Sequence, residues 1–202
     1  MKCLSLTLLS AFVCVFLIDV EFLHASSVIA PEEVASVAAM VDDTVFDKPQ
    51  LFEPGAFEDP KVCSTCHRDI YNEWSKSMHA NAWTDKWYQP DYLLAHQQTD
   101  GATDLLCGAC HAPIAARTGL LPPADGSKFD AASRRGISCD FCHTVSGVGQ
   151  MFNMGHISEP GEVKRGPRGD GRSLYHEVKY TEIHTKAEFC GSCHMVIHPA
   201  TG

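Results

Sequence analysis

Apolar residues in this chain form one dense block followed by short periodic runs. The block is Leu4 to Ile18, preceded by Lys2 and interrupted by Asp19 and Glu21. A bilayer-crossing helix needs about 20 apolar residues, so the block is too short to span. It reads as the core of a secretory signal peptide, residues 1–25, cut after Leu23-His24-Ala25. A cut after Ala30 is disfavoured by Pro31 directly behind it, and an uncleaved anchor is the weaker reading. Residues 26–59 give few signals: a short helix over 31–41 with Pro31 in its first turn, then Pro49, Pro54, Gly55 and Pro60. This is an extended N-terminal segment.

Beyond it, Ile70, Trp74 and Met78 recur at every fourth position, which predicts a helix over residues 61–88 with one apolar stripe. A second helical piece is expected over Asp91–Gln98, stopped by Asp100-Gly101, with Pro113 limiting any helix after it. Leu120 to Gly126 reads as a turn-rich connector. Residues 146–171 hold seven of the 15 glycines and read as loop. A helix over 181–189 is expected to follow. No alternating strand pattern stands out. The fold class is therefore mainly α with extensive irregular loops, and its periodic segments are too few for an ordinary hydrophobic core.

The cysteines account for that shortage. Eight of the 10 fall into four C-x-x-C-H signals: Cys63 and Cys66 with His67, Cys107 and Cys110 with His111, Cys139 and Cys142 with His143, Cys190 and Cys193 with His194. C-x-x-C-H is the covalent attachment signal for c-type haem: two thioether bonds, with the adjacent His as proximal iron ligand. Zinc ribbons would explain the Cys pairs but not the His after each second Cys. A thioredoxin-like motif would need one pair in a βαβ setting. The other two cysteines, Cys3 and Cys14, lie in the leader, so no disulfide scaffold is implied. Four covalently attached haems would supply the missing apolar interior, making residues 60–202 a tetrahaem domain. Tyr71, Trp74, Trp83, Trp87 and Tyr88 are expected to pack on porphyrin.

Distal ligands are sought among the remaining histidines. His79 lies twelve residues beyond His67, about 18 Å along a helix, too far to reach the same porphyrin. It is expected to serve a different haem, with one helix bridging two cofactors. His176 and His184, on one face if helical, and His96 are further distal candidates. His156 is as readily a solvent-facing loop residue. His198 is too near His194 to take the opposite face of that haem, and a neighbouring haem or a propionate contact is expected. Met78, Met151, Met154 and Met195 are thioether donors in principle, though methionine more often packs. Lys164, Arg165, Arg168 and Arg172 read as a solvated loop or propionate partners rather than a substrate site.

Residues 63–80, with C-S-T-C-H followed by Tyr71, Trp74, Ser77 and His79-Ala80, resemble the cytochrome c-552/c-554 family of multihaem proteins. Gly136-Ile-Ser-Cys139-Asp-Phe-Cys142-His143 and Phe189-Cys190-Gly-Ser-Cys193-His194 are similar to its later sites. The resemblance covers roughly residues 60–198. It implies a mostly helical tetrahaem unit carrying electrons outside the cytoplasm, with His79 a distal ligand. Relatives with the same His-Pro-Ala-Thr-Gly ending continue further, so a C-terminally truncated fragment is expected.

The net charge of −9 argues against nucleic acid as a partner. It leaves redox partner proteins, periplasmic or membrane-bound. The expected function is electron transfer by an exported, periplasmic tetrahaem cytochrome with mostly bis-His iron and no membrane span after cleavage. The alternative is an oxidoreductase with one open five-coordinate haem acting on a small nitrogen or sulfur compound. A carrier is favoured over a catalyst.

Overall fold

A computed structural model describes residues 50–197. The leader, the expected helix over 31–41 and His198 lie outside the described residues. The first helical stretch is three pieces rather than one: α1 Pro60–Cys63, α2 Arg68–Trp74 and α3 Met78–Asn81. Serine chemistry makes the break. Ser77 takes an extended backbone (ψ 161°), and its hydroxyl accepts a hydrogen bond from the amide of Ala80, capping a new helix. The expected apolar stripe is not core among the described residues: Ile70 is 63% and Met78 66% exposed.

Helix α4, Tyr88–Thr99, ends where the residues require it, with Asp100 (φ 50°) and Gly101 (φ 79°) both left-handed. Helix α5 is Asp104–His111. Pro113 then starts a helix instead of limiting one, because its missing N–H falls at a first-turn position. This helix, α6, Pro113–Arg117, is buried along its whole length. The connector contains cis peptide bonds at Leu121–Pro122 and Pro122–Pro123, and a short 3-10 turn, Ser133–Arg135, follows it. It leads to α7, Cys139–His143.

The glycine-rich stretch expected to be loop carries strands. β1 Val145–Val148 pairs antiparallel with β2 His156–Ser158, and β3 Val163–Gly166 pairs parallel with β4 Glu177–Tyr180. These runs are too short for alternation to register in sequence. The helix expected over 181–189 is divided by an extended Lys186 into a 3-10 turn, Glu182–Thr185, and α8, Ala187–His194. No helix among the described residues is long and apolar enough to cross a membrane.

Two buried clusters flank α6. One holds Trp83, Tyr92, Ala112, Ala115, Leu121, Ala124 and Phe129. The other holds Phe57, Ile114, Ala132, Phe141 and Met154, with Cys110, Cys142 and Cys193 packed against it. Trp83, expected to lie on porphyrin, instead packs among protein aromatics, while Trp87 is 74% exposed.

Candidate functional site

Each C-x-x-C-H signal sits on or beside a helical turn, which brings its two thiols and its imidazole to one side. The second, third and fourth signals lie within α5, α7 and α8. In the first, the amide of His67 donates to the carbonyl of Cys63 at 2.8 Å, closing the same turn. Glycine inside two of the signals is a packing requirement. A Cβ on Gly108 would lie 2.0 Å from Leu121, and one on Gly191 would lie 2.9 Å from Met151.

All eight signal cysteines are free thiols, but they do not all face an interior. Cys66 and Cys190 are exposed. Cys66 lies in the turn between α1 and α2 rather than within a helix packed on the buried clusters. Its sulfur is 3.8 Å from the hydroxyl of Thr65, itself exposed. The other six thiols, Cys63 among them, are half-buried. The first signal therefore presents one half-buried and one outward thiol, an attachment edge at the surface of the protein.

Thiols from different signals adjoin. A hydrogen bond between Cys63 and Cys139 holds the first low and the second high in pKa, and Cys110 and Cys193 stand in the same relation. Burial pushes Cys142 up to about 12. The attachment edges of the first and third sites meet, as do those of the second and fourth.

The imidazoles are oriented by backbone carbonyls. Nδ1 of His111 lies 3.0 Å from the carbonyl of Ala82, and Nδ1 of His143 lies 2.6 Å from that of Arg165. Nδ1–H donation of this kind leaves Nε2 for a metal. Three ring pairs follow. His67 faces His176 with centroids 6.3 Å apart, His79 faces His194 at 6.1 Å, and His143 faces His184 at 6.0 Å. A metal–imidazole bond of about 2 Å, plus roughly 1 Å from that nitrogen to the ring centre, puts two trans imidazoles about 6 Å apart. The residues present therefore fit iron held between paired histidines.

His176 keeps Nε2 available, since its Nδ1 meets the carbonyl of Glu177 at 3.0 Å. His184 differs: its Nε2 lies 3.1 Å from the carbonyl of Val145, leaving Nδ1 as the free nitrogen in this arrangement. His176 and His184 do not share a helical face. One precedes β4 and the other lies in the 3-10 turn, so each meets its own partner. The fourth attachment histidine stands apart: His111 stacks on Tyr88, centroids 3.8 Å apart and planes within 4°.

His96, a distal candidate on sequence, instead turns Nδ1 to the buried Asp104 at 2.9 Å. His156 is buried rather than solvent-facing. Its Nε2–H donates to the carbonyl of Phe189 at 2.7 Å, and burial pulls its pKa down to about 4. Met154 packs in the core with its sulfur 3.6 Å from that of Cys193, and Met78, Met151 and Met195 are exposed. The basic run is not a free patch. Lys164 pairs with the buried Asp140 at 2.6 Å, buried Arg165 pairs with Glu159, and Arg168 pairs with Asp170 on the surface. Among the described residues no three His, Cys, Asp or Glu side chains converge as a structural zinc site requires.

Sequence reasoning missed the residues that place His79. Gly136 (φ 58°) lets the chain pass so close that a Cβ there would lie 2.4 Å from the carbonyl of His79. The amide of Ile137 donates to that carbonyl at 2.9 Å, and the indole N–H of Trp74 donates to the carbonyl of Ile137 at 2.9 Å. The approach to the third attachment signal thus anchors the His79 turn.

Four C-x-x-C-H turns, three of them with a second imidazole facing their histidine, define a multihaem c-type cytochrome. The comparisons agree. Residues 62–144 match the family model described as cytochrome c554 and c-prime. The fold is similar to a solved penta-haem cytochrome c552 from Thermochromatium tepidum (TM-score 0.50, 22% identity), covering 70% of this chain and 46% of that one. The chain therefore spans less than half the length of that relative. No curated protein matches the sequence. The chain is a multihaem c-type cytochrome whose residues 62–144 match the cytochrome c554 family and whose fold is similar to that of a cytochrome c552.

Proposed function

We propose that this protein is an exported tetrahaem electron carrier with mostly bis-His iron, passing electrons between protein partners outside the cytoplasm. The observation that carries the reading is the fourfold C-x-x-C-H together with three imidazole pairs about 6 Å apart. The eight signal cysteines, the outward Cys66 included, would hold haem c, with His67, His111, His143 and His194 proximal. Opposite them, His176 would complete the first site, His184 the third and His79 the fourth. Bound haem supplies a one-electron ferric/ferrous couple. Iron held between paired imidazoles would keep no open coordination site, which favours outer-sphere transfer. The leader pattern supports export, and the acidic composition supports redox proteins rather than nucleic acid as partners.

Pyridine haemochrome analysis of protein matured in a cytochrome-c-competent host is expected to give four haems per chain; two or fewer sinks the reading. His79→Ala is expected to turn one haem high-spin in EPR while all four stay attached.

A second reading is favoured by one observation: His111 is stacked on Tyr88, and among the described residues no imidazole faces it across a metal-sized gap. The second site would then be the open iron, and the protein an oxidoreductase for a small nitrogen or sulfur compound. Nitric oxide and cyanide added to the resting holoprotein decide it. A low-spin spectrum unchanged by both removes this alternative.

A further inference from the structure

Arg117 ends α6 with its side chain 1% exposed. Its partners are all neutral: Nη2 donates to the carbonyls of His156 (2.6 Å) and Met154 (3.4 Å), and Nη1 to Oε1 of Gln50 (3.4 Å). Its Nε has no partner, and among the described residues no carboxylate pairs with it. Burial lowers its pKa to about 10, so it remains cationic at neutral pH. A buried charge without a counter-charge is costly to keep.

Its surroundings say what that charge acts on. The guanidinium lies 5.9 Å from the ring centre of Phe141, between Cys139 and Cys142. Met154, whose carbonyl it binds, has its sulfur 3.6 Å from that of Cys193. In thioether linkage to a haem the Cys193 sulfur would carry no charge, so a haem held at Cys190 and Cys193 would bring no anion at its thioether edge. A fixed positive charge at that edge favours the state holding the extra electron.

We infer that Arg117 is a positioning charge that raises the reduction potential of the haem attached at Cys190 and Cys193. The inference rests on the tetrahaem reading above. Haem counting tests that reading separately, and potentials of fully loaded protein test this one.

The experiment is a spectroelectrochemical titration of holoprotein, wild type against Arg117→Met, Arg117→Lys and Gln50→Glu. Arg117→Met is expected to lower one midpoint by about tenfold in its reduction equilibrium, ~59 mV for a one-electron couple. Arg117→Lys keeps the charge and most of the potential. Gln50→Glu retains the shape of Gln50 while setting a carboxylate against Arg117, and lowers the same midpoint by a smaller step. That midpoint should belong to the haem whose low-spin signal is lost in His79→Ala. A role confined to stapling the 154–156 backbone would change stability and leave every midpoint in place. The inference is overturned if loaded Arg117→Met leaves all midpoints unmoved, if Arg117→Lys shifts as far as Arg117→Met, or if the shift falls on another haem. Should Arg117→Met fail to load, Gln50→Glu decides alone: an unmoved midpoint rejects the charge, a lowered one supports it.

Discussion

Gly136 shows how tightly single residues constrain these sites. Its backbone (φ 58°, ψ −131°) is one that side-chain-bearing residues avoid, and the His79 carbonyl occupies the space a Cβ would need. Gly136→Ala is expected to cost about 1–3 kcal/mol, read from denaturant unfolding of the holoprotein. Removing half of the buried Lys164–Asp140 pair should cost more, since Asp140, 1% exposed, would lose its cationic partner: Lys164→Met, about 3–5 kcal/mol by the same measurement. His156 gives the pH dependence. Its pKa is lowered on folding, so the unfolded chain takes the proton first as pH drops. Stability is whole above about pH 6.5 and falls toward pH 4, by about 2–4 kcal/mol in total. His156→Gln, which still donates to Phe189, should flatten that slope between pH 7 and 5. At this scale the four C-x-x-C-H signals could be read directly, because thioether attachment requires that fixed spacing. What spacing could not tell is that Cys66 faces outward while Cys63 is half-buried, since that depends on how the turn between them docks. Gly136, Arg117 and Asp140 were not legible either, because their roles depend on chain segments distant in sequence.

At the scale of elements, short pieces are placed by what they carry. Helix α3 has only four residues, far below what stands alone in water, and its start depends on Ser77. Ser77→Ala is expected to cost about 1 kcal/mol and to loosen the turn bearing His79, visible as a rise in high-spin signal. The apolar spacing of Ile70, Trp74 and Met78 misled because two of the three face outward. Trp74 alone turns inward, to the carbonyl of Ile137. The rise-per-residue argument separating His79 from His67 assumed one continuous helix bridging two cofactors, and the break at Ser77 removes that basis; the structure sets the His79 ring 6.1 Å from that of His194. The strands escaped notice because their order comes from pairing: β3 and β4 align Val163 with Glu177 through Gly166 with Tyr180. That ribbon holds the Arg165 carbonyl against His143 and delivers His176 toward His67.

For the whole molecule, the division into two modest buried clusters, with half-buried cysteines packed against both, fits a fold whose interior is shared with its cofactors. Replacing all eight signal cysteines with serine should leave a chain with little cooperative unfolding in calorimetry, as in other small domains that fold around a cofactor. The histidine pairs also set an order of assembly. His67 and His79 emerge early, whereas His176 and His194, the rings that face them, are made near the end of the described chain. During haem attachment the early sites must wait, exposed to whichever imidazole arrives first, and closing such long loops is slow. Wrong early partners such as His96 would then have to be exchanged, making ligand swapping the step that limits maturation.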